Sequence, residues 1–225
     1  MKHAIERQFA ADGAQLFRGA VKSCMAELEA SLGGLSPDEA GVRIHGVERL
    51  KPLLSRDGCI GAIAAGALDS ACKPVRAILF NKTPAANWSL GWHQDRTICV
   101  RDRLDVPGFG GWTMKRGMNH VEPPFALIAR MVTLRVHLDD VPATNAPLLI
   151  APGSHRFGRI KEADIADIVA RCGTRACLAE AGDVWLYATP ILHSSQAAAT
   201  PKARRVLQVD FADEALPSGL EWLGV

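Results

Sequence analysis

At 225 residues, with 48% apolar and 22% charged side chains, the chain has an ordinary globular composition and enough length for one domain with a sizeable core. A formal net charge of +2 supplies no basic footprint for nucleic acid, so a small molecule is the expected partner. The opening MKHAIERQFAADGAQ is broken by charge before an apolar run can form, and no later stretch is long enough to span a bilayer, so neither a leader nor a membrane partner is expected and the reading is cytoplasmic.

Residues 1–73 read as mainly helical. Phe9, Leu16, Phe17, Val21, Met25, Leu28 and Leu32 recur every three or four residues, and Gly33-Gly34 supplies a stop. Ser36-Pro37-Asp38-Glu39 resembles a capping box with proline at the first helical position, which opens a second helix. Ile60, Ile63, Ala64, Ala67, Leu68 and Ala71 suggest a third. Six cysteines, at 24, 59, 72, 99, 172 and 177, form no C-x-x-C pair and no dense framework, and are expected to be reduced.

After Pro74 the texture changes to short apolar runs punctuated by Gly, Pro, Asn and Asp: VRAILFNK, MVTLRVHLDD, PLLIAPGSH, GDVWLYA and RRVLQVDFA. Strands this close, mostly without crossover-length helices, predict an antiparallel sandwich or jelly roll, with a helical cap on a β core. Residues 101–124, rich in Gly, Pro and charge, read as a long loop insertion, and IKEADIADIVARC as a helical decoration. No heptad pattern or long apolar edge demands assembly, so the oligomeric state stays open.

GWHQDRTICV, residues 91–100, carries the chemistry. On a strand, positions i and i+2 share a face, which sets the imidazole of His93 beside the carboxylate of Asp95. A 2-His-1-carboxylate metal site needs one more histidine from a neighbouring strand, and His120, His137, His155 and His193 are the candidates outside the helical part. His193 fits best: the segment that follows it returns as a strand opening with Arg204, whose guanidinium can enter the same cavity and pair with a ligand carboxylate. His155 sits in a P-G-S-H turn and is the second choice, while His137 shares a face with Thr133 and Arg135 that lines a cavity or meets solvent.

The order WHQD, NAPLLIAPGSH, GDVWLYATPILHSS and RRVLQVDF, over about residues 75–212, resembles the phytanoyl-CoA dioxygenase (PhyH) family of iron(II)- and 2-oxoglutarate-dependent oxygenases. The resemblance implies a cupin-like double-stranded β-helix over 74–212, supported by the N-terminal helices, within a single oxygenase domain 1–225. It implies Fe(II) held by His93, Asp95 and His193, and 2-oxoglutarate held through its distal carboxylate by Arg204 with Ser195. It also implies O2 as the oxidant, and hydroxylation of a small organic substrate coupled to decarboxylation of 2-oxoglutarate to succinate and CO2. Retention of Asp95 favours hydroxylation over halogenation. Two alternatives use the same residues differently: a cupin-like metal enzyme without 2-oxoglutarate, and a catalytically inactive β-sandwich that binds a ligand.

Asn81 and Lys82 stand as possible co-substrate contacts against a structural role, and Trp185 and Tyr187 as core packing. Arg101, Arg103, Lys115 and Arg116 are either solvated surface or a site for an anionic substrate, with Trp112 and His120 as possible substrate contacts.

Overall fold

A computed structural model describes residues 8–68 and 72–225. Two antiparallel sheets stack into a double-stranded β-helix. The larger runs β1 (Ala14–Phe17), β11 (Val184–Ala188), β8 (Val132–His137), β13 (Arg204–Ala212), β3 (Lys73–Lys82), β2 (Gly41–Ile44); the smaller runs β10 (Arg175–Cys177), β9 (Leu148–Ile150), β12 (His193–Ser195), β4 (Leu90–His93). The jelly roll and its helical support are as the strand pattern predicts.

Alternation decides which side chains meet the chemistry. Along β8, Val132, Leu134 and Val136 turn outward into a core shared with Leu207, Val209 and Phe211 of β13 and with Leu28, Leu50, Leu54 and Ile60 from the helical layer. Each such leucine, fully removed from water, stabilises the fold by about 1.5–3 kcal/mol. The intervening Thr133, Arg135 and His137, and Gln208 and Asp210 on β13, therefore face the interior between the sheets, where all five are buried. A second cluster, with Trp185, Tyr187, Leu148, Ile150 and Ile191, closes one end of that interior.

The N-terminal part departs from its expected helices. The helical layer holds α1 (Met25–Leu32), α2 (Lys51–Leu54) and α3 (Gly61–Ala65). Leu16 and Phe17 belong to β1 instead, laddered on Trp185 and Val184, because Gly13 at φ +69° turns the chain into the sheet. Ser36–Glu39 opens no helix: the Asn81 amide donates to the carbonyls of Ser36 (3.2 Å) and Glu39 (3.1 Å), and the chain goes on into β2. Ala71, at the end of the expected third helix, lies outside the described residues.

Residues 101–124 are not a loop throughout. They contain the hairpin β6 (Gly110–Lys115) and β7 (Met118–Glu122), which joins β5 (Ile98–Val100) in a third sheet. Arg116, at φ +53°, and Gly117, at φ +75°, make the two-residue turn that this hairpin demands. The helix expected near residue 165 is α5 (Ile165–Cys172), after α4 (Phe125–Ala129). Not all cysteines are thiols: Cys24 and Cys59 form a disulfide between two segments packed on the same core, and Cys72, Cys99, Cys172 and Cys177 are free.

Candidate metal centre

β12 lies antiparallel to β4 with His193 directly opposite His93, and the two rings, tilted 57° to one another, have centroids 4.2 Å apart. Between His93 and Asp95, the buried Gln94 points the other way. Its Nε2 donates to the carbonyls of Gly158 (3.0 Å) and Pro190 (2.8 Å), and its Oε1 accepts from the Ile160 N–H (2.9 Å). A fully bonded amide at the middle position fixes the local backbone, so its two neighbours are presented together on the opposite side. One ligating atom from each of His93, Asp95 and His193 lies within 4.8 Å of the others.

The protonation pattern follows from the hydrogen bonds. Nδ1 of His93 lies 2.8 Å from the Gly91 carbonyl and Nδ1 of His193 lies 2.9 Å from the Ile191 carbonyl. A carbonyl only accepts, so each Nδ1 carries the proton and each Nε2 lone pair is left free. Burial pushes the His193 imidazole down to about 4, which keeps it neutral at neutral pH despite the opposing pull of Asp95. Burial would raise the Asp95 carboxyl, but the Arg76 guanidinium, helped by the imidazoles, holds it below the usual carboxylate range. Asp95 Oδ2 is buried without a hydrogen-bond partner. Two free imidazole nitrogens and an ionised carboxylate with an orphaned oxygen form a donor set suited to a divalent cation.

Arg76 links this cluster to the final strand. Its Nη2 lies 3.6 Å from Asp95 Oδ2, its Nε donates to Asp210 Oδ2 at 2.5 Å, and its Nη1 donates to the Thr97 carbonyl at 3.3 Å. Thr133 Oγ1 donates to the other Asp210 oxygen at 2.9 Å.

The three residues open onto a cavity of about 610 Å³. Ser195 lines it, as does Arg135, whose Nη1 donates to Gln208 Oε1 at 2.8 Å and whose Nε has no partner. Arg204, at the start of β13, is buried, with its Nη1 donating to the Ala146 carbonyl and its Nε unpartnered. In register with it, the fully buried Lys82 donates to Ser195 Oγ (3.2 Å) and to the carbonyls of Trp88 (2.8 Å) and Gln196 (2.5 Å). Burial, with Arg204 and Arg135 nearby, lowers the Lys82 ammonium to about 8.

The remaining candidates lie elsewhere. His155 sits against Gly13, away from the cluster, and His120 is buried with its Nδ1 on the Met118 carbonyl (3.0 Å). His137 is buried with neither ring nitrogen bonded, and burial, then Arg135 and Arg204, push it to about 3, so it is neutral. Trp112 lies beneath Arg103, Arg101 pairs with Glu221 (2.6 Å), and Arg116 with Glu39 (3.2 Å). Trp185 Nε1 donates to the Leu178 carbonyl (2.9 Å) and the Tyr187 hydroxyl to Gln208 (3.3 Å), so both pack in the core. Arg76, Arg43 and Arg96 are cations of the cavity that the sequence did not single out, and the cavity is lined by Arg135 from the Thr133–His137 face.

Among the described residues, no helix is long and apolar enough to cross a membrane. No curated protein sequence matches the chain. Its fold is similar to that of AviO1 from Streptomyces viridochromogenes Tue57, at 21% identity and a TM-score of 0.67, over 97% of each chain. It is also similar to EctD from S. alaskensis, crystallised with 2-oxoglutarate and 5-hydroxyectoine, at 20% identity and a TM-score of 0.66, over 98% of this chain and 78% of that one. A third likeness is to the non-heme alpha ketoglutarate dependent epimerase SnoN from nogalamycin biosynthesis, at 16% identity and a TM-score of 0.63, over 94% and 82%. At these identities the likeness is one of fold. Residues 51–206, more than half the sequence, match the family described as phytanoyl-CoA dioxygenase (PhyH), and the chain belongs to that family.

Proposed function

We propose that the protein is an iron(II)- and 2-oxoglutarate-dependent oxygenase that hydroxylates a small organic substrate. The observation that carries this reading is the convergence of His93, Asp95 and His193 within 4.8 Å, with both imidazoles already in the tautomer a metal needs. These three would hold Fe(II) on one face and leave the other coordination positions to co-substrate and oxygen. The bound iron would supply oxygen activation, coupled to oxidative decarboxylation of 2-oxoglutarate to succinate and CO2.

The interior behind the cluster fits a dianion. Lys82, Arg135 and Arg204 are all buried within one region, and no carboxylate pairs with any of them among the described residues. The nearby acids Asp95 and Asp210 are both engaged by Arg76. Unpartnered Nε atoms on Arg135 and Arg204, and an unbonded His137, are buried donors of the kind that native proteins rarely leave without a ligand or water. Ser195 Oγ, held by Lys82, offers a further hydroxyl at the cavity wall. On this reading Arg204 and Ser195 meet the distal carboxylate of 2-oxoglutarate, and Lys82, opposite Arg204 and bonded to Ser195 Oγ, and Arg135 supply further positive charge. The positive interior supports a 2-oxoglutarate enzyme over a metal enzyme without that co-substrate.

Anaerobic titration of the apo protein with Fe(II) and then 2-oxoglutarate tests the reading. A visible metal-to-ligand charge-transfer band that grows to one equivalent is the expected result, and its loss in His193→Ala ties it to this site. Stoichiometric iron binding with no band at saturating keto acid would leave a metal enzyme of another class.

A further inference from the structure

The outer part of the same cavity is built for a second anion. Five cations line it, Arg43, Arg76, Arg96, Lys115 and Arg135, against one carboxylate, Asp95. Arg76 is neutralised by Asp95 and Asp210, and Arg135 belongs to the deep end with Gln208. Arg43, Arg96 and Lys115 remain, and among the described residues none of them has an acidic partner.

Arg43 is the most constrained of the three. It lies on β2 opposite Ile78 of β3, half-buried, and its Nε is removed from solvent without a hydrogen-bond partner. A guanidinium nitrogen desolvated in this way is costly until an acceptor arrives, and the planar fork suits a carboxylate or phosphate. Arg96 keeps one arm on the Ile160 carbonyl (2.6 Å), which anchors its head at the cavity edge. Lys115 closes β6, and the neighbouring Arg116–Glu39 pair (3.2 Å) ties that hairpin tip to the segment leading into β2. The three charges thus come from three separate elements onto one opening.

Apolar side chains make up another part of this wall. Phe80 and Trp88 lie with ring centroids 5.9 Å apart, each beside a cation of the interior, Arg135 and Lys82; Ile78 also lines the cavity, and so does Leu90 while remaining 51% exposed. An exposed leucine at a cavity mouth is apolar area available to a ligand. Trp88 Nε1 is a further buried donor without a partner.

We infer that the substrate is a small amphipathic acid: a carboxylate or phosphate docked on Arg43, with Arg96 and Lys115 beside it, and an apolar body along Phe80, Trp88 and Leu90 that points toward the metal centre. This rests on the oxygenase reading for the fate of the molecule, but the anion site itself uses none of the three ligand residues. A cavity of about 610 Å³, shared with a co-substrate, is within the small-molecule range.

Binding to the metal-free protein tests the inference. Phenylacetate, 4-phenylbutyrate, octanoate, phenyl phosphate and hexyl phosphate are each compared with the matching methyl ester or parent alcohol by ligand-observed NMR and calorimetry. At least one acid is expected to bind tenfold or more tightly than its neutral partner, and the carboxylate and phosphate arms show which group is preferred. In Arg43→Gln that preference is expected to fall below threefold, and in Lys115→Gln, an exposed change that spares the core, to fall severalfold. Arg101→Gln, on the surface pair with Glu221, leaves it intact. Absence of any preference in the native protein, or a preference undiminished in both Arg43→Gln and Lys115→Gln, would overturn the inference; the latter would assign the acid to the Arg135 region. Mn(II) binding followed by EPR on the same samples reports the His93–Asp95–His193 site separately, so failure of the oxygenase reading and failure of the anion site are distinguishable.

Discussion

Arg76 and Asp95 stand 3.6 Å apart at the edge of the metal cluster, and the same guanidinium is anchored from its other side by Asp210 at 2.5 Å. A ligand carboxylate held this way keeps its charge and one orientation before any cation arrives. Burial raises the Asp210 carboxyl, an effect the Arg76 pair opposes, so the arrangement depends on the guanidinium more than on either acid.

Arg76→Met is therefore expected to leave the buried Asp210 and the partly buried Asp95 without their cation. Breaking a buried pair by removing one partner costs about 3–5 kcal/mol, read as a drop in the urea midpoint. Mn(II) affinity is expected to fall about 10–100-fold, the usual effect of removing a group that orients a ligand. Arg76→Lys, which keeps the charge and loses the fork, falls between the two.

Among the histidines, His193→Ala is expected to abolish Fe(II) binding and His155→Ala to leave it within twofold in a calorimetric titration. His155 instead packs on the turn before β1. A Cβ at Gly13 would lie 2.2 Å from His155 Nδ1 and would require φ +69°, so Gly13→Ala is expected to lower stability without touching metal affinity. Overpacking of this kind typically costs about 1–3 kcal/mol.

Co-substrate binding should carry the signature of Lys82. Burial, with Arg204 and Arg135 nearby, lowers its ammonium to about 8, and only the charged form attracts a dianion. Affinity for 2-oxoglutarate is expected to be flat below that pH and to weaken as pH rises through it, by up to about tenfold per unit for one linked proton. Lys82→Met weakens binding at pH 7 and removes the inflection. A dissociation constant measured from pH 6.5 to 9.5 in both proteins checks the assignment.

Thiol titration in denaturant without reductant is expected to find four reactive cysteines, because Cys24 and Cys59 are joined. Cys59→Ser releases the cross-link between α1's approach and the segment before α3, at an expected cost of about 2–4 kcal/mol. The metal site, on other elements, keeps its affinity.

Much of the β core was legible because alternation is a local property. Val132, Leu134 and Val136 mark the outward face of β8 within six residues. The strands of His193 and Arg204, expected to be antiparallel neighbours, instead lie in different sheets: β12 pairs with β9 and β4, and β13 with β3 and β8. What escaped was set by distant partners. Leu16 and Phe17 fit a helical period as well as a strand, and only their ladder with Val184 and Trp185 decides. Ser36–Glu39 has the residues of a helix start, but its carbonyls are taken by Asn81, some forty positions away. Alternation placed Arg204 and Arg135 on inner faces but could not show that the two buried guanidiniums would share one interior, since that depends on which strand lies beside which. The hairpin at 110–122 was hidden because glycine, proline and charge mark turns and exposed edge strands alike.

That hairpin belongs to its own three-stranded sheet and shares no ladder, among the described residues, with the strands that carry His93 and His193. Its exposed positions, Lys115 among them, make no backbone ladder with the ligand strands. The hairpin brings Lys115 to the cavity rim from outside the framework of the metal ligands, so charge at that rim can be retuned by exchanging a side chain that no ligand strand depends on.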